Sequence, residues 1–281
     1  MYQPGFAVYI MLGPANTPML TALRQSDSAK VLARASEKSE APFLCPRCWR
    51  VLVLRKGQIK IHHFAHKPPV TCALGKGETE QHLKAKLEIF DALRNEPNIS
   101  DLELEKDFGV SVADIFARIS GVPVAVEIQR SALSVNDIIT RTRNYHRLGI
   151  AVLWAGLPNS DLATSKYSPR AWEKWCHAAY YGRVYFWESG QVFKVIHFGP
   201  YQIHVASSSW FEDGEERSAG GYDRTSRRWR TPRPGVPCLL SSSFRTNRRA
   251  PWSGGTVAIP ECTLYLDFTP KWWSGARVEG T

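Results

Sequence analysis

The sequence lacks any apolar run of the roughly 18 to 20 residues that a membrane-spanning helix needs. Residues 1–15 are mildly apolar, but they carry no basic segment and contain Pro4 and Gly5, so they do not indicate a signal peptide. No internal repeat is present in the sequence. These absences argue against membrane and secreted proteins, and we expect a cytoplasmic protein without membrane contact.

Acidic residues are in the minority. The chain has 26 Asp and Glu against 36 Lys and Arg, a formal net charge of +10, and a sequence pI of about 9.4. This balance suits a phosphate-rich partner such as nucleic acid, although it also occurs in proteins that bind nothing acidic. The 281 residues, 43% of them hydrophobic, are enough for one sizeable globular domain or two small ones.

Close cysteine pairs are rare, since four of the six cysteines are scattered and only Cys45 and Cys48 are near neighbours. In a reducing compartment such a pair indicates metal ligands rather than a disulfide. His63 and His66 follow after a further 14 residues. Two thiolates and two imidazoles are a typical ligand set for four-coordinate structural zinc. We therefore predict a zinc site formed by Cys45, Cys48, His63 and His66.

Alternatives to this ligand set remain. His62 and Cys72 are rival ligands, and the simplest alternative is that the cysteines are chance neighbours and the histidines lie at the surface. The residues between the two pairs predict a hairpin with its turn at Lys56-Gly57, which would bring the histidines back beside the cysteines.

Residues 109–130 predict a β-hairpin with a two-residue turn at Ser120-Gly121. That register places Asp114 directly opposite Glu127, with Cβ atoms about 4.5–5.5 Å apart. Two carboxylates at this separation destabilise each other unless a cation lies between them, and Mg²⁺ prefers oxygen ligands. We predict a magnesium site at Asp114 and Glu127, with Gln129 on the same face.

The two faces of this hairpin differ in polarity. Period-two alternation gives one entirely apolar face, which must pack on a core, and one face that carries the two acids and the amide. The alternative is that Asp114 and Glu127 are solvated residues on an open sheet face and bind no metal.

Regular elements flank the hairpin. Residues 78–93 predict a helix with Glu78, His82 and Lys86 along one side, which is either part of the site or a solvent-facing stripe. Ser134 caps a second helix that ends at Gly149, and a buried strand follows it. The order α-β-β-α-β predicts an α/β fold with a mixed sheet.

We divide the chain into four regions. Residues 159–211 are rich in Trp and Tyr and predict a helix near 169–180 and strands near 184–187 and 191–197, which together form an α+β segment. From 217 to 250 there are nine arginines and a single acid, which predicts a disordered basic tail. The regions are 1–76 with the zinc module, 77–158 as the core, 159–211, and the tail 212–281.

The element order is similar to that of the PD-(D/E)XK, or restriction-endonuclease-like, nuclease fold. Several motifs resemble the competence protein CoiA family, over about residues 28 to 211. They are the Cys45/Cys48 and His63/His66 module, Gly77-Glu78 with His82, Ala113-Asp114-Ile115, Val126-Glu127-Ile128-Gln129, Arg141 with Tyr145, and residues 180–187.

The resemblance implies a magnesium-dependent nuclease that acts on DNA in transformation-associated recombination, with recombination proteins as further partners. It implies that Asp114 and Glu127 bind magnesium, that Glu78 assists, and that Gln129 replaces the usual lysine. Lys86 or Lys84 would then supply the positive charge, and His82 would polarise water or phosphate. Arg141 and Tyr145 are expected to contact DNA. The alternatives are a DNA-binding accessory protein that does not cut and a restriction-like nuclease of defence or mobile elements.

Overall fold

A computed structural model of the protein describes residues 18–70, 72, 78–129, 133–255 and 257–268. The described chain is α/β and mostly sheet, with strands in two large sheets and two small hairpins. Short 3-10 turns lie at Ala33–Ala35, Lys38–Glu40 and Ser160–Ala163. None of the described helices is long and apolar enough to cross a membrane.

The first sheet is formed by the N-terminal residues and has the order β2-β1-β3-β4-β5. Its separate core contains Met19, Phe43, Phe64 and Cys45. The strands are β1 (Thr21–Arg24), β2 (Lys30–Leu32), β3 (Phe43–Leu44), β4 (Val51–Arg55) and β5 (His63–His66).

The other strands build a ten-stranded sheet whose main path is β14-β11-β10-β9-β8-β7-β6, except that β12-β13 and β17-β18 form the two small hairpins. All six residues of its central strand β9 are buried. The elements are α1 (Glu80–Arg94), β6 (Ile99–Asp107), β7 (Val112–Ile119), β8 (Val122–Gln129), α2 (Val135–Arg147), β9 (Ala151–Gly156), α3 (Ala171–Ala179), β10 (Val184–Ser189), β11 (Val192–Val205), β12 (Ser208–Glu212), β13 (Glu215–Ala219), β14 (Tyr222–Pro234), β15 (Cys238–Leu239), β16 (Phe244–Arg249), β17 (Trp252–Gly254), β18 (Val257–Ile259) and β19 (Cys262–Asp267).

The β7–β8 hairpin has the predicted register. Ile115 pairs with Val126 and Ile119 with Val122, so the turn is Ser120-Gly121. Both turn residues have positive φ, 50° and 80°, which is the backbone of a type I′ turn and explains why glycine stands at the second position. The predicted apolar face is buried from Ala113 to Ile119.

The predicted helices are present with small shifts at their ends. Helix α1 begins after Thr79, whose side chain accepts from His82 N, so Glu78 precedes the helix. Helix α2 is capped by Ser134, and the strand after it, β9, pairs in parallel with β8. Helix α3 and strands β10 and β11 also lie where the Trp-rich segment predicted them.

Two expectations about the fold are wrong. The predicted order α-β-β-α-β missed β6, a nine-residue strand that pairs with β7 along its outer edge. The expected disordered tail is mostly strand over the described residues 212–255 and 257–268. Its apolar residues Leu264 and Leu266 are buried because β19 pairs in parallel with β9 in the large sheet. Long-range pairing supplies the core that the tail lacks by itself.

Candidate functional site

A cluster of sulfur and nitrogen ligands lies at one end of the N-terminal sheet. The ligand atoms of Cys45, Cys48, His66 and Cys72 all lie within 4.8 Å of one another. The Cys48 sulfur is 3.2 Å from His66 Nε2, and the sulfurs of Cys45 and Cys72 are 4.0 Å apart. This cluster could hold a metal ion.

The predicted ligand His63 is not part of the cluster. His63 and His66 both lie on β5, where residues three apart point to opposite faces of a strand. The His63 Nδ1 lies 2.8 Å from the carbonyl oxygen of Ile61, away from the cysteines. Cys72, the rival ligand in the sequence, takes its place. The prediction assumed a short turn at residues 63–66, and the strand geometry makes it wrong.

The chemistry of the cluster fits a soft or borderline divalent ion. Three thiols and one imidazole form a ligand set of the kind that zinc prefers. Burial raises the pKa of the Cys45 thiol to about 12, so an ion that binds there must displace its proton. The pKa of His66 is lowered by burial and by Arg50, which keeps the imidazole neutral and able to bind a metal.

The second candidate site lies on the polar face of the β7–β8 hairpin. Asp114 Oδ2 accepts hydrogen bonds from the backbone N–H of Ile128, at 2.8 Å, and from His82 Nε2, at 3.1 Å. Burial opposes the ionisation of Asp114, but the facing His82 and Lys86 outweigh it and lower the pKa of the carboxyl. Asp114 is therefore an anion at neutral pH.

Glu127 differs from Asp114 in its protonation. Its side chain is fully buried, and its Oε1 accepts hydrogen bonds from Arg141 and from the hydroxyl of Tyr145. Its other oxygen, Oε2, is buried and has no hydrogen-bond partner among the described residues. Burial, together with the charge of Asp114, raises the pKa of Glu127 to about 7. A buried carboxylate oxygen without a partner is a position that a cation would satisfy.

Lys86 lies at the centre of the polar contacts and is completely buried. Its ammonium nitrogen is 2.9 Å from Glu78, 2.8 Å from Glu105 and 3.7 Å from Asp114. Burial disfavours the charged amine, but these carboxylates outweigh it and raise the pKa of Lys86. The stripe of Glu78, His82 and Lys86 therefore faces the site and not solvent.

Glu105 is a residue that the sequence did not indicate. Its backbone has φ of 50°, unusual for a residue other than glycine, and its side chain is buried. Its carboxylate accepts hydrogen bonds from the N–H groups of Leu20 and Thr21 and from the Thr21 hydroxyl, at 2.7–3.1 Å. Glu105 thus joins the N-terminal sheet to Lys86. No spacing pattern in the sequence marks it, because its partners are 19 and 84 residues away.

The residues predicted to contact DNA have inner contacts instead. Tyr145 is fully buried, so it has no free ring face on which a base could stack. Arg141 donates to the carbonyl of Val112 at 2.8 Å as well as to Glu127, and its guanidinium lies 5.3 Å from the ring of Trp154. Gln129 is half-buried at the end of β8, on the face of Glu127. Arg141 and Tyr145 hold Glu127 in place.

The two candidate sites differ in how their ligand atoms converge. Within the described ranges, the acids and histidines around Asp114 do not form a group of three whose ligand atoms lie within 4.8 Å, as the Cys/His cluster does. The residues of this acid–cation cluster are Glu78, His82, Lys86, Glu105, Asp114, Glu127, Arg141 and Tyr145.

Comparisons with known proteins agree with the motifs. Residues 25–75 match the family described as competence protein CoiA, N-terminal domain, and residues 78–186 match competence protein CoiA, nuclease-like domain. Together these ranges cover more than half of the chain. The competence protein CoiA of Bacillus subtilis (strain 168) is 30% identical over 113 residues, which is 40% of this chain and 30% of that protein. No solved structure gives a significant match.

Proposed function

This chain belongs to the competence protein CoiA family, and we propose that it is a magnesium-dependent nuclease that hydrolyses DNA phosphodiesters during transformation-associated recombination. In this proposal residues 78–186 are the catalytic part, with a core of the PD-(D/E)XK type. The order α1-β6-β7-β8-α2-β9 supports that assignment, because it places an acid before the first helix and one acid on each strand of a hairpin.

The observation that carries the proposal is that Asp114 and Glu127 lie on the same face of the β7–β8 hairpin. The hairpin register puts the two acids on one face, and Glu127 Oε2 is buried without a hydrogen-bond partner in the described chain. Burying a carboxylate in this way costs free energy unless a cation is available to it. Asp114 and Glu127 supply the oxygen ligands that Mg²⁺ prefers.

Magnesium bound there would orient a phosphate and make a bound water more acidic. The residues of the chain have separate roles around it. Arg141 and Tyr145 hold Oε1 of Glu127 and leave Oε2 available. Protonated His82, whose pKa Asp114 raises against the effect of burial, fixes Asp114 Oδ2 and leaves Oδ1 toward Lys86. Lys86 places a positive charge 3.7 Å from Asp114 Oδ1, whereas the amide of Gln129 carries none.

The Cys/His cluster takes a structural part in this proposal. Four protein ligands leave no open coordination position, so zinc at Cys45, Cys48, His66 and Cys72 would stabilise the N-terminal sheet and not react. The sheet is small, and its own core has only nine buried residues within the described chain. Metal binding is a common way for such small units to gain stability.

A second candidate function is a DNA-binding recombination protein that keeps this scaffold without cutting. Two observations favour it: Gln129 stands where nucleases of this type usually have lysine, and Lys86 is already bound to three carboxylates. An amide carries no positive charge for the phosphate. The retention of both Asp114 and Glu127 favours the nuclease.

The test is nicking of supercoiled plasmid and degradation of linear DNA by the purified full chain, with and without magnesium. Magnesium is omitted rather than removed with a chelator, so that the Cys/His cluster keeps its metal. We expect cleavage that needs magnesium and is lost in Asp114→Asn and Glu127→Gln. Exposed Asp101, on β6, gives the matched control Asp101→Asn, which should cleave like the unchanged protein.

Two outcomes decide against the nuclease. If the unchanged protein binds DNA and never cuts it with magnesium or manganese, the accessory function replaces the proposal. If cutting persists undiminished in Asp114→Asn and Glu127→Gln, the assigned site is wrong.

A further inference from the structure

Strand β14 carries a surface of arginines that the nuclease-like site does not use. It lies C-terminal to both ranges that match the CoiA family. Five of its thirteen residues are arginine, and its single acid is Asp223, which contacts His204 at 2.9 Å. The arginines are Arg224, Arg227, Arg228, Arg230 and Arg233, and we call them the β14 surface.

The charges of this surface are mostly unneutralised. Arg224, Arg227, Arg228 and Arg233 are exposed, and no carboxylate of the described chain lies within 4.0 Å of their guanidinium nitrogens. Two other exposed arginines of the C-terminal region are paired with acids. Arg217 lies 3.1 Å from Glu212, and Arg248 lies 2.5 Å from Glu261. Among the described strands beyond residue 212, β14 therefore has four exposed arginines without a carboxylate partner, whereas β16 has Arg245.

Neighbouring cations extend the surface. Lys166 Nζ and Arg228 Cζ lie 4.8 and 4.7 Å from the ring centre of Trp229, which holds both charges beside β14. Lys166 and Trp229 line one small cavity, with Asp161 as the acid among its lining residues. Lys174 and Arg230 line a second. The positive charge is therefore concentrated around one strand and the segment that leads into α3.

We propose that the β14 surface binds the phosphodiester backbone of nucleic acid. Exposed guanidinium groups without carboxylate partners match phosphate oxygens in charge and in geometry. The Trp229 ring already carries two cations, so we expect phosphate contacts without base stacking or sequence preference. The inference stands apart from the cleavage reaction, because binding can be measured without magnesium.

The experiment measures DNA affinity of the full chain by fluorescence anisotropy, in magnesium-free buffer from about 50 to 200 mM salt. The ligands are a labelled duplex and a labelled single strand of the same sequence. The first variant is R224Q/R227Q/R228Q/R233Q. The matched variant, R34Q/R118Q/R217Q/R248Q, loses the same net charge from four arginines that are paired with Asp91, Asp101, Glu212 and Glu261.

For the duplex, log affinity decreases as log salt rises. We expect the magnitude of this slope to decrease by about 0.9 for each phosphate that the β14 variant no longer neutralises, so by up to about 3 to 4 in total. In the matched variant the magnitude should decrease by less than about 0.9. Thermal melting of both variants establishes that they are folded. The proposal is overturned if the two variants change affinity equally, or if neither does. It is also overturned if polyglutamate displaces the DNA as well as unlabelled DNA does, since an acidic polypeptide would then be the partner.

Discussion

The Cys/His cluster and the acid–cation cluster both bring ionisable side chains together inside the protein, and they do so in different ways. In the first, four ligand atoms from thiols and an imidazole converge within 4.8 Å of one another. In the second, four carboxylates lie around buried cations, and Lys86 alone contacts three of them. The first cluster is therefore incomplete without a metal, whereas the second is largely compensated by the protein itself.

The difference teaches what each cluster can do with an ion. A cluster whose ligands depend on the metal binds it permanently and contributes to folding. A cluster that already has its own cations can release and bind an ion, which suits a catalytic role. One atom departs from this compensation, namely Glu127 Oε2, and that atom is where we expect an ion to act.

The largest expected effect comes from changing Cys72, which stands in the observed ligand set where the sequence predicted His63. Cys72→Ser should lose bound zinc and with it the N-terminal sheet, because structural zinc sites contribute apparent binding free energies of about 10 kcal/mol or more. Zinc content measured by mass spectrometry should fall well below one ion per chain. His63→Ala is the control, and it should keep its zinc. Loss of zinc from His63→Ala with retention in Cys72→Ser would restore the ligand set first predicted.

Removing the central cation should show how far the second cluster depends on its own charges. Lys86→Met leaves Glu78 and Glu105 buried without their partner, which typically costs about 3 to 5 kcal/mol of unfolding free energy. Urea unfolding measures it. Lys84→Met is the matched control on the same helix, since Lys84 is exposed and its contact with Glu88 should be worth about 0.5 kcal/mol or less. Equal losses in the two variants would contradict the central role of Lys86.

Glu127→Gln should increase the unfolding free energy, and the size of the increase should depend on pH. The pKa of Glu127 is raised from 4.5 to about 7 in the fold, so the protonated form is stable when buried and the folded state loses stability as pH rises between those values. Glutamine carries no charge, so this loss should disappear. Without divalent ions, the unfolding free energy of the variant minus that of the unchanged protein should increase by on the order of 3 kcal/mol as the pH is raised from 4 to 8. A difference that stays constant with pH would show that the fold does not raise the pKa of Glu127.

The smallest effect concerns the link between the two regions. Thr21→Val removes the hydroxyl that donates a hydrogen bond to Glu105 at 2.7 Å. Because a hydrogen bond to a charged group contributes about 1.5 to 3 kcal/mol, the unfolding free energy should fall by about that amount. Faster amide exchange at Leu20 would locate the effect at the junction of the sheets. Thr225→Val, on exposed β14, should be nearly neutral.

Local patterns predicted the parts of this molecule that depend on neighbouring residues. The turn at Ser120-Gly121 fixes the register of β7 and β8 from Ile119 and Val122 to Ile115 and Val126, so the sequence alone could place Asp114 and Glu127 on one face of the hairpin. The caps at Thr79 and Ser134 fix the starts of two helices in the same way. Alternation also assigned the apolar face of the hairpin.

Interactions between distant residues could not be predicted. Glu105 has an unusual backbone conformation and partners in another sheet, which no periodicity reveals. His63 is not a ligand because its side chain points to the face of β5 opposite to that of His66, and Cys72 is the fourth ligand instead. Beyond residue 212, β14 pairs with β11, and β19 pairs with β9, more than 100 residues earlier, so the basic composition of this region was misleading.

A titration with Mn²⁺, which binds carboxylate ligands much as Mg²⁺ does, tests the magnesium site most directly. Electron paramagnetic resonance counts the bound ions in the zinc-loaded protein, in Asp114→Asn and in Glu127→Gln. We predict one manganese site at the hairpin. Its affinity for Mn²⁺ should fall at least roughly 10- to 100-fold in both variants, because even the loss of a residue that only hydrogen-bonds a metal ligand has an effect of that size. Equal manganese binding in all three proteins would contradict a metal site at Asp114 and Glu127.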